Sequence, residues 1–145
     1  MRALHDLIAT CHDAAEGYGK AAKGLRNKEL SDQLAQISGE RERFAGENSE
    51  FIQQTGDRAT MDEHEGGILH RGWVDLETRI RPKDQSELLR DCINGDQGTL
   101  KHYLHALEQD LNEGMRSTVE RQRAAVEADL DFLQKTLELH KAQHA

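Results

Sequence analysis

A chain of 145 residues has the size of one domain and can bury a core without metal or disulfide staples. Its 36% hydrophobic and 4% aromatic content, against 32% charged, suits narrow apolar stripes on long helices and disfavours sheets buried on both faces. The net charge of −8, with no segment that concentrates Lys or Arg, argues against nucleic acid and anionic membranes as partners. Charge at Arg2 and Asp6 interrupts any apolar signal region and no run approaches a membrane span, so a cytoplasmic location is expected.

The first helical pattern uses Leu4, Leu7, Ile8, Cys11, Ala14, Ala15, Tyr18, Ala22 and Leu25, recurring at spacings of three and four, and predicts a helix from about Ala3 to Lys23. The second runs through Leu30, Leu34, Ile37, Arg41, Phe44, Asn48, Phe51 and Thr55, with Gly56 as its stop and two polar residues in the middle of its stripe. Residues 57–65 read as an irregular acidic connection. Leu69, Trp73, Leu76 and Ile80 then outline a short helix ending before Arg81-Pro82, because the residue before a proline avoids helical geometry.

Asp84 with Glu87 has the form of a capping box that opens a helix carrying Leu88, Leu89, Cys92, Thr99, Tyr103, Leu107 and Leu111, closed by Asn112-Glu113-Gly114. Ser117 with Glu120 has the form of a second box, ahead of Val119, Gln122, Val126, Leu130, Leu133 and Leu137. Strand-like alternation appears nowhere.

Self-similarity ties these helices together. Leu7-Ile8, Cys11, Gly17 and Lys20 correspond to Leu88-Leu89, Cys92, Gly98 and Lys101, each 81 positions on. Glu40-Arg41, Arg43 and Glu47 match Glu120-Arg121, Arg123 and Glu127 at an offset of 80, and Phe51-Ile52-Gln53 with Thr55 matches Phe132-Leu133-Gln134 with Thr136 at 81. Two copies of one helical hairpin, joined by a linker long enough to travel the length of a bundle, give an all-α expectation: a ferritin-like four-helix bundle with a short helix in its long crossover. The crossover helix is expected to lay Trp73 against the outside of that bundle.

Four segments also carry a resemblance: Leu7-Ile8 with Cys11 and Glu16-Gly17-Tyr18; Glu40-Arg41 with Phe44; Gly67 through His70-Arg71-Gly72-Trp73 to Leu76; and Cys92 with Gly95-Asp96. Together they resemble a bacterial family of ferritin-like four-helix-bundle proteins classed as a domain of unknown function, with His70, Arg71, Gly72 and Trp73 as the most specific piece. The resemblance implies a ferritin-like bundle and no assigned activity. This chain departs from the family pattern after Gly95, where Asp96-Gln97 replaces a Glu-Asp pair, and near Asp129, where a histidine is often found. Both departures count against a metal role inherited from the family.

A carboxylate-bridged di-iron site in such a bundle needs Glu from two helices and a Glu-x-x-His pair from each of the others. The chain contains no Glu-x-x-His, and Arg41 at an inward position would repel a dication. Arg41 is expected to pair instead with a carboxylate across the bundle, Asp96 or Asp129. His102 with His105, His140 with His144, and His12 near Glu16 fall on polar helix sides and read as solvated residues. In the segment Asp62-Glu63-His64-Glu65, acidic residues before a helix N-terminus are favourable electrostatics in themselves. His64, Glu65 and His70 are the candidate ligands of the alternative reading, in which a metal ion is bound. Cys11 and Cys92 lie in the apolar stripes and should pack inward, reduced and unbridged.

The functional expectation is a non-enzymatic, degenerate ferritin-like bundle with a structural, stress-associated or protein-interaction role and no cofactor. The competing expectation is a metal-binding or oxidase-like bundle with unorthodox ligands. On the last helix Ala125, Ala128, Phe132 and Leu139 form a second apolar side, which suggests either a homodimer or cover by the crossover helix.

Overall fold

The side chain of Asn27 accepts the backbone N–H of Leu30 at 3.1 Å, and that of Asn112 accepts the N–H of Met115 at 2.9 Å. Each satisfies an orphan donor of a first helical turn. Asp84 does the same for Glu87 at 2.9 Å, and Glu87 returns the bond to the Asp84 N–H at 3.3 Å, so the expected capping box is formed. These caps open three of the four helices in the computed structural model, which describes residues 2–55, 73 and 84–143. The helices are α1 (Arg2–Gly24), α2 (Lys28–Thr55), α3 (Gln85–Leu107) and α4 (Glu113–Gln143), and there is no strand among the described residues.

One boundary differs from the sequence expectation. Asn112-Glu113-Gly114 opens α4 instead of closing the preceding helix, which already ends at Leu107 and leaves Leu111 in the connection. The Asn112 cap outcompetes the Ser117–Glu120 pair, which lies within α4 with Ser117 exposed. Arg116, one turn into α4, donates back to the carbonyls of Leu107 at 2.8 Å and Gln109 at 2.9 Å, satisfying acceptors at the end of α3. Ser31 holds the matching place in the first hairpin, where its hydroxyl donates to the Ala22 carbonyl at 2.6 Å.

The pairing of residues fixes the direction of every helix. Within the first hairpin Ser31 meets Ala22 and Ser38 donates to the Ala15 carbonyl at 2.7 Å; within the second, Tyr103 meets Gln122 and Gln85 meets His140. Between hairpins, Cys11 faces Tyr103 and Tyr18 faces Asp96, while Arg41 faces Asp129 and Asn48 faces Gln122. In each adjacent pair one number rises as the other falls, so all four neighbouring pairs are antiparallel. Helices α2 and α3 therefore run parallel, and residues 56–84 must connect opposite ends of the bundle. The expected short helix over Leu69–Ile80 lies outside the described residues, apart from Trp73.

The core is continuous from Leu4, Leu7 and Ile8 through Leu34, Phe44, Leu88 and Leu89 to Val126, Leu133 and Leu137. Alanines and Gly19 on α1 allow α2 close enough for the serine–carbonyl bonds, and α1 is buried on most of its surface. Trp73 departs from expectation. Its indole is not laid on the outside but is 6% exposed, wedged between α1 and α3. A Cβ at Gly17 would come within 2.1 Å of the ring and one at Gly95 within 2.4 Å, so only glycine leaves room at either position. The ring centroid sits 5.2 Å from that of Tyr18, tilted by 57°.

Candidate functional site

Among its inward residues each helix places a pair of polar ones seven positions apart, all of them buried except Asp129, which is partly buried. They are Cys11 and Tyr18 on α1, Arg41 and Asn48 on α2, Asp96 and Tyr103 on α3, and Gln122 and Asp129 on α4. Seven residues span about 10 Å of helix and return the side chain to nearly the same face. With all neighbours antiparallel, the eight residues form two polar layers across the core.

Arg41, with no exposed surface, holds the first layer. Its Nη1 donates to Asp96 Oδ1 at 2.5 Å and its Nη2 to Asp96 Oδ2 at 2.7 Å, a bidentate pair; Nη2 also donates to Asp129 Oδ2 at 2.8 Å. Tyr18 donates its hydroxyl to Asp96 Oδ2 at 2.5 Å, and the guanidinium carbon lies 5.2 Å from the Tyr18 ring centroid. Burial opposes the Arg41 charge, but the Asp96 carboxylate more than offsets it and holds the guanidinium well above its ordinary pKa. Burial, reinforced by the charge of Asp96, pushes the Tyr18 phenol well up. Asp129 is raised to about 7, by burial first and then by the neighbouring Glu40 carboxyl, with Arg41 pulling the other way.

In the second layer Tyr103 donates to Gln122 Oε1 at 2.8 Å, so the Cys11 thiol, 3.1 Å from the Tyr103 oxygen, supplies the hydrogen of that contact. Asn48 and Gln122 exchange amide hydrogen bonds of 3.1 and 3.2 Å, and Gln122 Nε2 also donates to Glu47 Oε1 at 2.9 Å. Arg121 closes the chain at the surface by donating to Glu47 at 2.7 Å. Burial pushes the Cys11 thiol up to about 12, which leaves no thiolate nucleophile at neutral pH. Both cysteines are buried and free, as their positions predict.

The expected Arg41 pairing is present with both named carboxylates. The histidines of the helical pairs are not gathered into a site: His12 contacts Glu42 at 3.2 Å on the surface, His105 lies 3.7 Å from Glu108, and His140 contacts Gln85 at 3.1 Å. Among the described residues no group of three His, Cys, Asp or Glu side chains is placed to hold a metal ion. His64, Glu65, His70, Arg71 and Gly72 lie outside the described residues. Tyr18, Tyr103 and Gln122 are members of the polar layers that the sequence reading treated only as stripe positions. Their heptad pairing with Cys11, Asp96 and Asp129 was the available signal.

Residues 1–109 match a family described as a domain of unknown function (DUF2383). The chain belongs to that family. No curated protein and no solved structure matches it. Within this DUF2383 member the matched stretch carries α1, α2 and α3, and with them Tyr18, Arg41 and Asp96; Gln122 and Asp129 come from α4, beyond the match. No helix among the described residues is long and apolar enough to cross a membrane.

Proposed function

We propose that this chain is a degenerate ferritin-like bundle whose centre is an arginine-held ion network, and that its role is structural or protein-interacting, in a stress-associated setting, and not metal-dependent oxidation. The ferritin-like reading is supported by four antiparallel neighbour pairs with a single long crossover between parallel α2 and α3. An exchange of contacts supports the duplication behind it: at the offset of 81 that relates the flanking stretches, one position beyond the offset of 80 for Glu40-Arg41, Arg41 and Asn48 correspond to Gln122 and Asp129, so the Arg41–Asp129 and Asn48–Gln122 bridges map onto one another.

One observation carries the functional reading. The inward positions that would supply Glu and Glu-x-x-His ligands to a metal pair hold Tyr18, Arg41, Asp96 and Asp129, with a guanidinium among the carboxylates. Both oxygens of Asp96 already accept from Arg41 and Tyr18, and a fixed positive charge within hydrogen-bond distance opposes a dication. These residues do not fit a metal centre. Elemental analysis of protein purified without a metal-affinity step tests this, with far less metal than protein expected. Stoichiometric iron, manganese or zinc would overturn it in favour of a metal-binding bundle with unorthodox ligands. A homodimer through the outer side of α4, where Leu139 is 64% exposed, belongs to the same proposal; a monomeric mass by light scattering at high concentration removes it.

A further inference from the structure

Arg41 leaves one donor unused. Its Nη atoms make three hydrogen bonds, but its buried Nε has no hydrogen-bond partner; Glu40 Oε1, 3.6 Å away, is likewise buried with none. Three carboxylates, Asp96, Asp129 and Glu40, therefore stand around a single guanidinium. In a low-dielectric surrounding an excess of like charge is relieved by taking up a proton, as in paired carboxylates elsewhere. Asp96 is saturated by Arg41 and Tyr18, whereas Asp129 accepts through Oδ2 alone, from Nη2 of the same guanidinium whose Nε stands 3.6 Å from Glu40 Oε1. A protonated Asp129 would supply the donor that Glu40 Oε1 lacks.

We propose that Glu40 and Asp129 share one proton across the seam between α2 and α4, and that losing it loosens this edge of the bundle, so that opening of the seam responds to ambient pH. The groups that face the pair come from every helix. Helix α2 supplies Arg41 beside Glu40, α3 supplies Asp96 through the shared guanidinium, and α1 supplies Tyr18 bound to Asp96. Side-chain exposures of 16% for Asp129 and 28% for Glu40 give the proton a route to solvent that Arg41 and Asp96, at 0%, do not have. The α2–α4 pair also makes the least extensive backbone approach of the four neighbouring pairs, so repulsion there meets the least resistance. The sign follows from linkage. The folded chain keeps a proton on Asp129 up to about 7, while the unfolded chain releases it near 3.8, so raising pH across that interval favours unfolding, opposite to a salt-bridged carboxylate.

The test follows the folding equilibrium of wild type and Asp129→Asn from about pH 5.5 to about pH 8.5. The asparagine amide accepts from Arg41 and donates to Glu40, mimicking the protonated acid. Wild type should lose roughly tenfold or more in its folding constant relative to the variant over this range, the equivalent of one pKa unit. Amides of α2 and α4 near Glu40 and Asp129 should lose hydrogen-exchange protection before those of α1 and α3. Equal pH profiles for the two proteins, or loss of protection spread evenly over all four helices, would overturn the proposal. If the variant does not fold, carbon-detected titration of the Asp129 carboxyl in wild type decides: a midpoint near neutrality supports the shared proton, and one below about 5 eliminates it.

Discussion

Where the two hairpins meet, α1 approaches α3 across Gly17 and Gly95 with the Trp73 indole pressed between them, whereas α2 approaches α4 through Arg41–Asp129, Asn48–Gln122 and Glu47–Arg121. The first seam adds this shape fit to the Tyr18–Asp96 and Cys11–Tyr103 hydrogen bonds, whereas the second is closed by polar bridges alone. A glycine pair removes two Cβ atoms and lets one large aromatic ring fill the space, burying apolar area with only the indole N–H to satisfy. Long polar side chains instead span a wider gap, but each buried end must find its partner or lose stability. The two seams should therefore fail differently, the first gradually with lost volume and the second sharply with a stranded charge.

Arg41→Ala should break the comparison most severely. It strands the buried Asp96 and leaves Asp129 without its cation, and should cost about 4 kcal/mol in denaturant unfolding. An unchanged midpoint would show that the polar seam does not hold the bundle together. Trp73→Ala empties the notch and should cost about 3 kcal/mol, with hydrogen exchange rising first along the facing sides of α1 and α3. If α2 and α4 lost protection instead, the two seams would not be separable in the way described. At the small end, Arg121→Ala removes only the surface arm of the second layer. Arg121 is 55% exposed and Gln122 still holds Glu47, so calorimetry should register less than about 1 kcal/mol.

The polar seam was the more legible of the two from sequence. Arg41 at an apolar-stripe position announces a buried charge, and Asp96 and Asp129 are carboxylates on inward faces of other helices, so the pattern alone names the partners. The glycine notch could not. The repeat aligns Gly17 with Gly98, yet a Cβ at Gly98 would meet nothing within 4 Å, and it is Gly95 that pairs with Gly17. That match depends on the register of α1 against α3, which a one-dimensional pattern does not contain. The boundary after Leu107 was missed for a local reason: asparagine and glycine suit both the end of one helix and the start of the next, and which end applies depends on where the Asn112 side chain finds its N–H. Glu40 is legible in the sequence only as part of the repeat and of the family resemblance, because its place beside Asp129 arises across helices.

The notch has one more consequence, for watching this chain assemble. Half of the notch belongs to the first hairpin and half to the second, so the cradle for the indole does not exist until the two are side by side. Trp73 is the only tryptophan in the chain, and Tyr18, one of only two tyrosines, lies against it. Its emission is thus a built-in optical clock for hairpin docking: formation of either hairpin alone leaves the fluorophore in water, and the signal shifts at the step that joins them.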